Sequence, residues 1–341
     1  MISAVYRLKA PRQFEMSFEN LSLDGDQVIV RPTYLSICNA DQRYYQGLRD
    51  EAVLRKKLPM ALIHEGIGRV IYDPTGTFPV GTDVVMIPNL PCEEDPIIAE
   101  NYLRSSRFRA SGTDGFLQEY IQSAPDRLLE LPKGINPCVA AFTELVSVSY
   151  HTICRFARFS HPRRDTISVW GDGNLGYITA LLLKHTFPDS RIVVFGRNEY
   201  KLNDFSFADE TYMTDQIPED FLTDHAFECA GGSGAPKAIN QIIDYIRPEG
   251  TIAIMGVTEE LAPVNTRMVL EKGLHIFGSS RSGREDFAGL LKLYQTDPVI
   301  LSYLENIVGS QVHVRDVKDI VAAFETDIHK LIGKTVMIWD E

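Results

Sequence analysis

The stretch TISVWGDGNLGYITALLL, residues 166–183, constrains the fold of this chain more than any other. A short apolar run rich in β-branched residues ends at Gly171, Gly173 and Gly176, spaced G-x-G-x-x-G, and opens directly into a helical apolar pattern. Such a motif alone says little, but a strand before it and a helix after it define a dinucleotide-binding crossover. Each glycine answers a separate demand. Gly171 permits the tight turn, Gly173 lets the backbone approach a pyrophosphate, and Gly176 lets helix and strand pack closely. The helix start then offers unpaired N–H groups and partial positive charge to phosphate. An ordinary glycine turn is the competing interpretation, and the flanking pattern leaves it little room.

The end of the next strand, RIVVF, selects the dinucleotide. NAD-binding domains usually place Asp or Glu there to hold the ribose hydroxyls. This chain has Gly196, followed by Arg197, Asn198 and, a turn later, Lys201. Without a carboxylate there is no repulsion against a 2′-phosphate, while Arg197 offers a planar fork of donors and Lys201 a second positive charge. The expected cofactor is NADP(H) rather than NAD(H).

Around this crossover the chain divides. At 341 residues it is long enough for two domains. The first third carries strand-like runs such as QVIVRPTYLSI, GIGRVIYD and TDVVMIP, bounded by turn residues. From Thr166 short apolar strands alternate with helical segments, the pattern of βαβ units on a parallel sheet. A helix at VKDIVAAFETDIH and a strand at KTVMIW close the chain, and that strand is expected to return to the first domain. The expected fold class is therefore α/β: an irregular, mainly antiparallel β domain over 1–145, completed by 305–341, plus a doubly wound parallel-sheet domain of Rossmann type over 146–304. With 34 Lys and Arg against 46 Asp and Glu, the net charge of −12 argues against nucleic acid or an acidic membrane surface as partner. Five cysteines without a C-x-x-C pair argue against a disulfide framework. The amino terminus lacks a signal-peptide pattern and no apolar run approaches bilayer length, so a cytoplasmic setting is expected.

In the first domain the chemistry-bearing residues are Cys38 in SICNAD, His64 and Glu65 in IHEGIG, and Glu144 in TELVSVSYHT. None has zinc-finger spacing. Taken singly, Cys38 reads as a small core residue, His64 as a hydrogen-bonded imidazole, and Glu144 as a carboxylate favoured at a helix start.

Taken together and ahead of the glycine turn, they resemble the zinc-dependent medium-chain dehydrogenase/reductase family in its polyol dehydrogenase branch. The likeness runs nearly the whole length. It rests on Cys38 and Asp41 as C-x-x-D, the H-E-G-x-G of His64 to Gly68, E-L-V-S-V from Glu144, G-D-G-N-L-G, the late G-S-S-R-S-G of Gly278 to Gly283, and G-K-T-V-M-I. The resemblance implies a GroES-like catalytic domain and one catalytic zinc held among Cys38, His64, Glu65 and Glu144, with either glutamate as direct ligand. It also implies that Ser279 and Arg281 lie near the cofactor, Arg281 facing nicotinamide or substrate. Thiolate, imidazole and carboxylate are all competent zinc ligands. Two departures stand out. The stretch from Cys92 to Gly112 holds only one cysteine, so no structural zinc is expected, and Ala40 replaces the hydroxyl of the usual C-G-S/T-D. The proton route is then expected through water on the metal, Glu65 or Tyr44.

VIVRPTYLSICNADQRYYQG, LPMALIHEG, IAENYL, WGDGNLGYITALLL and FGSSRSG are similar, more closely, to the ribulose-5-phosphate reductases (ribitol-5-phosphate dehydrogenases) that supply CDP-ribitol for bacterial teichoic acid or capsule synthesis. That likeness implies zinc- and NADPH-dependent reduction of the C2 ketone of D-ribulose 5-phosphate, a homodimer, and functional pairing with a ribitol-5-phosphate cytidylyltransferase. For the substrate phosphate Arg43, five residues after Cys38, is the first choice. The clusters Arg55-Lys56-Lys57 and Arg104, Arg107, Arg109 are expected to be solvated helix faces. The rival interpretations are a neutral-polyol dehydrogenase and a metal-free NADP(H)-binding sensor, the latter supported only by Ala40.

Overall fold

The computed structural model describes residues 1–339, which form two compact units. The first comprises 1–147 and 281–339, the second 148–280. Residues 281–304, expected in the Rossmann part, thus belong to the first unit. The reason is a long-range contact: the helix Arg284–Thr296 is anchored at its start by Glu100, whose Oε1 accepts from the Arg284 backbone N–H at 2.9 Å. Phe287, Leu290 and Leu291 of that helix are buried.

In the first unit the larger sheet runs, in spatial order, Leu128–Glu130, Asp83–Met86, Glu65–Tyr72, Val28–Ser36, Lys334–Trp339 and Val308–Val314. Its pairings are antiparallel except the last. The terminal strand Lys334–Trp339 lies beside Val28–Ser36. A second sheet has the order Gln13–Asn20, Ile2–Ala10, Met60–Ala61. These strands supply a core of Val5, Leu8, Val30, Leu35 and Val70, joined by Phe116 and by Phe324 of the helix Val317–His329. The glycines of H-E-G-x-G have a packing function here. A Cβ at Gly66 would stand 2.5 Å from Leu35 Cδ2, and one at Gly68 would stand 2.6 Å from the Arg31 carbonyl oxygen. Only glycine lets the strand after His64 lie so close to the strand that leads to Cys38.

The second unit is a six-stranded parallel sheet: Glu210–Met213, Arg191–Gly196, Thr166–Trp170, Thr223–Glu228, Ile246–Ile254, His275–Gly278. Numbered along the chain, the order is 3-2-1-4-5-6, the doubly wound arrangement whose ligand crevice opens beyond the carboxyl ends of the first strands. Trp170 stacks on Phe195 at 4.2 Å between ring centres, and Ile239, Ile242 and Ile243 of the helix Ala235–Tyr245 pack on the same cluster. The strand Glu210–Met213 has no sharp hydrophobic pattern, since it is a half-exposed edge.

Candidate functional site

Cys38 stands at the start of the short helix Asn39–Tyr45 in extended conformation. Asp41, three residues on, folds back and accepts the Cys38 backbone N–H at 3.1 Å through Oδ2. Its Oδ1 accepts the Ile63 N–H at 3.0 Å and lies 3.5 Å from His64 Nδ1. One buried carboxylate therefore ties the Cys38 turn to the His64 segment. Ile63 is held at φ 71°, a left-handed conformation costly for a β-branched residue. Strain of about 1–3 kcal/mol persists only where the surroundings enforce it, and here it aims the next side chain, His64. The Cys38 thiol, a His64 ring nitrogen and a Glu65 oxygen all lie within 4.8 Å of one another. Donors around a tetrahedral zinc stand roughly 3.5 Å apart, so this donor set suits such an ion in type and in spacing.

The electrostatics point the same way. Cys38, Asp41, Glu65 and Glu144 bring four acidic groups together, whereas Lys334 is the lysine that reaches them. Lys334 is fully buried and donates to Glu65 Oε1 at 3.0 Å and to the Ile37 carbonyl at 2.8 Å. Glu65 Oε2 lies 2.9 Å from the same ammonium without hydrogen-bond geometry. Burial works against the charge on Lys334, but Glu65 and Cys38 outweigh it and raise its pKa. His64 behaves likewise: burial would depress it, while Asp41 and Cys38 hold it well above the usual value. Glu144 sits in the first turn of the helix Thr143–Phe159. Burial pushes its carboxyl up to about 7, His64 pulls it back, and Glu65 raises it again. A cluster that attracts protons so strongly is one a divalent cation would neutralise.

Other expected residues fall around this cluster. Arg281 lies in the first unit, at φ 57°, with its guanidinium 4.5 Å over the Phe108 ring. That ring stands 5.4 Å from His64. Burial lowers Arg281 and Glu144 opposes the shift. Ser282 is locked to Ser147 at 2.6 Å. Tyr44 is buried in the first core. Arg43 is half-buried one turn after Cys38, and Arg104 and Arg107 are exposed. Arg109 is a structural residue: it donates to the Gln122 carbonyl at 2.7 Å, and burial pushes it down to about 10.

In the second unit the glycine turn shows why each glycine is there. Gly171 adopts φ 143°, and a Cβ on it would meet the Cys229 carbonyl carbon at 2.7 Å. A Cβ at Gly176 would stand 1.9 Å from the Gly171 oxygen. At Gly173 nothing lies within 4 Å, which leaves the face toward a pyrophosphate open. Gly196 abuts Asp172: a Cβ there would stand 2.7 Å from that residue's own Cβ. The carboxylate absent from position 196 is thus supplied in space by Asp172. Its Oδ2 is engaged, accepting from Arg197 N at 2.7 Å, Asn198 N at 2.8 Å and Asn198 Nδ2 at 2.9 Å. Arg197 is exposed and Lys201 half-buried at the same strand end. Ser279, after the last strand, is buried and accepts from Thr152 Oγ1 at 2.8 Å.

Comparison with known proteins agrees with this geometry. The alcohol dehydrogenase GroES-like domain matches residues 24–133, and the zinc-binding dehydrogenase domain matches 204–296. The chain belongs to the zinc-binding dehydrogenase family. Within it, the ribulose-5-phosphate reductase of Bacillus spizizenii is 56% identical over the whole of both chains. Ribulose-5-phosphate reductase 2 of Staphylococcus aureus is 54% identical over 99% of each. The crystal structure of S. aureus TarJ in complex with NADPH superposes with a TM-score of 0.90 at 48% identity over all of both chains.

Sequence reasoning assigned no function to Lys334, Phe108 or Asp172. Asp41 was visible as half of C-x-x-D, but its double anchoring was not. Lys334 sat in G-K-T-V-M-I, where a lysine opening a buried strand was a signal to seek its counter-charge.

Proposed function

We propose that this chain reduces the C2 ketone of D-ribulose 5-phosphate to D-ribitol 5-phosphate with NADPH, and that it carries one zinc. The observation that carries the proposal is the convergence of Cys38, His64 and Glu65 in a buried, acid-rich cluster, in a chain whose full-length relatives bear that activity in their names. Cys38, His64 and Glu65 would hold the metal, with Glu144 beside them as the alternative carboxylate. Bound there, zinc supplies Lewis-acid polarisation of the ketone and NADPH supplies the hydride. The chain's own residues do the rest. Asp41 orients Cys38 and His64, and Lys334 pairs with Glu65. Gly171, Gly173 and Gly176 admit the pyrophosphate, while Arg197, Asn198 and Lys201 face the 2′-phosphate. Ser279 and Arg281 flank the cofactor in this proposal, and Arg43 receives the substrate phosphate. Ala40 brings no hydroxyl, so the proton reaches the product oxygen through Tyr44, Glu65 or water.

No helix among the described residues is long and apolar enough to cross a membrane, which supports a cytoplasmic setting. We place a homodimer contact at the edge strand His275–Gly278, whose Ile276 is exposed, as is Leu270 of the preceding helix Thr266–Lys272. The product suits a cytidylyltransferase that makes CDP-ribitol for teichoic acid or capsule.

NADPH oxidation with D-ribulose 5-phosphate, D-ribulose and D-fructose, before and after a chelator, tests the reading. Rapid chelator-sensitive oxidation confined to the phosphate is expected. Equal turnover of the neutral sugars would move the function to a polyol dehydrogenase. NADPH binding by fully zinc-loaded protein without any turnover would make it a sensor.

A further inference from the structure

The Arg281 side chain owes its place to residues outside the metal cluster. Its backbone is left-handed, a conformation that persists in an arginine only where the surroundings enforce it. Its guanidinium lies over the Phe108 ring and makes no hydrogen bond or ion pair among the described residues. A ring contact alone does not fix so long a side chain, so the stack has to be set from behind. Both of its members lead back to Glu100.

On the arginine side, Glu100 Oε1 accepts the Arg284 N–H at 2.9 Å. Gly283 lies against the same side chain, where a Cβ would stand 2.9 Å from Glu100 Cγ. Ser282 is tied to Ser147. On the aromatic side, Phe108 sits in the short strand Arg107–Phe108, directly opposite Asn89 of the strand Asn89–Leu90. Asn89 Nδ2 donates to Glu100 Oε1 at 3.4 Å, and Ser106 Oγ donates to the Glu100 carbonyl at 2.6 Å. Buried Arg127 closes the node, donating through Nη1 to Glu100 Oε1 at 2.8 Å and to the Asn89 carbonyl at 3.4 Å. Its Nη2 is held by Asp126 Oδ2 at 2.8 Å. One carboxylate oxygen therefore gathers Arg127, the strand opposite Phe108 and the backbone three residues after Arg281.

We propose that the Glu100–Arg127 pair is a positioning device for Arg281, setting the arginine and the ring beneath it in one register beside His64. This rests on the reading above, in which Arg281 flanks the cofactor. A group at a reacting centre works only within a narrow range of placement, and its supporting hydrogen bonds define that range. Glutamine at position 100 keeps the shape and an acceptor oxygen but gives up the charge that fastens Arg127. Alanine at position 283 keeps every charge and pushes the Arg281 segment away from Glu100.

The experiment uses the full chain with Glu100→Gln, Gly283→Ala, Arg281→Gln and the double variant Glu100→Gln/Arg281→Gln, with Glu285→Gln on the exposed face as control. In arginine-labelled protein, the Arg281 side-chain NMR signal is identified by its loss in Arg281→Gln and is displaced by the Phe108 ring current. It is expected to move toward the position of a solvated arginine in Glu100→Gln and Gly283→Ala, and to stay in Glu285→Gln. In zinc-loaded protein at saturating NADPH, kcat/KM for D-ribulose 5-phosphate should fall about 10–100-fold in Arg281→Gln and about tenfold in Glu100→Gln, the scale of a small misplacement near the chemistry. The double variant should lie within about twofold of Arg281→Gln alone, because Glu100 acts through Arg281. Losses that multiply in the double variant would make Glu100 an anchor of the fold and overturn the positioning, as would an unmoved signal. If Glu100→Gln does not fold, Gly283→Ala carries the test, alone and combined with Arg281→Gln. Absence of turnover by wild type would overturn the reductase, while the NMR signal would still decide the positioning.

Discussion

The metal cluster and the glycine turn solve opposite physical problems. The cluster gathers Cys38, Asp41, His64, Glu65, Glu144 and Lys334 from one end of the chain to the other and surrounds them with buried surface. Its specificity lies in charge: a thiol and three carboxylates are gathered around His64, and Lys334 donates to one of them, Glu65. The glycine turn uses six consecutive residues plus the end of the next strand, and its specificity lies in the absence of atoms. Where a Cβ at Gly176 would touch backbone and one at Gly173 would touch nothing, shape alone decides what can approach. A site built from charge is hostage to every buried partner, while a site built from backbone is hostage to a few glycines.

The largest effect should come from removing one donor. Cys38→Ser should abolish stable zinc retention and lower reduction by at least about 10³-fold, since metal polarisation is worth several kcal/mol. NADPH binding, followed by its fluorescence, should stay within about twofold. Collapse of both together would break the comparison, because the two sites would then not be separately built. Next comes Lys334→Met. It leaves Glu65 buried without its ammonium, and breaking a buried pair costs about 3–5 kcal/mol. Urea unfolding should show that loss in chelator-treated protein and a smaller one when zinc is present, since the ion takes over as counter-charge. Equal, sub-kcal losses in both states would show that Lys334 is not what balances Glu65.

Charge is handled differently in the second unit, and pH exposes it. His225 is buried and neutral: its Nδ1 accepts the Thr251 N–H at 3.1 Å, and Nε2 faces the His161 carbonyl at 3.2 Å. Burial first, and then His161, lowers its pKa to about 4. Protonation would turn Nδ1 into a donor aimed at a donor. The unfolded chain takes up that proton near 6.5, so the stability from neutral His225 is full above 6.5 and is lost as pH falls from 6.5 toward 4. The gap corresponds to about 3 kcal/mol. Urea midpoints across that range should fall more steeply in wild type than in His225→Asn, which keeps an acceptor without a titrating ring. Parallel slopes would assign the acid loss to carboxylates elsewhere.

The same contrast governs what the sequence made legible. Thr166–Trp170, the turn and the helix Asn174–Thr186 could be placed from periodicity and three glycines, because every determinant is local. The terminal strand Lys334–Trp339 and the helix Val317–His329 were also readable in place. The metal cluster was not, apart from its family likeness. Nothing in the spacing of residues 38, 64 and 144 brings them together; strand pairing joins the segments of the first two, the third comes on a helix, and only two glycines in H-E-G-x-G hint at the close approach. The segment 281–304 was misplaced because its allegiance depends on Glu100, a residue some two hundred positions earlier. Asp172 was missed because attention went to the residue at the strand end, whereas the structure delivers a carboxylate to that spot from the preceding turn.

That carboxylate gives the smallest and most discriminating prediction. Asp172 Oδ2 accepts from two backbone N–H groups and one side-chain amide of Arg197 and Asn198, so it fixes the loop that we propose receives the cofactor's 2′-phosphate. If it acts by positioning, Asp172→Ala should loosen the loop and cut the NADPH-over-NADH preference in kcat/KM by about tenfold, close to one charged hydrogen bond. Arg197→Gln should produce a similar fall through NADPH alone, with NADH unchanged. If Asp172 served instead as a ribose-binding acid, its removal would damage NADH use more than NADPH use and the preference would rise. The sign of the change in Asp172→Ala therefore separates a carboxylate that holds the protein from one that holds the ligand. It also settles whether the backbone-built site depends on a charge after all.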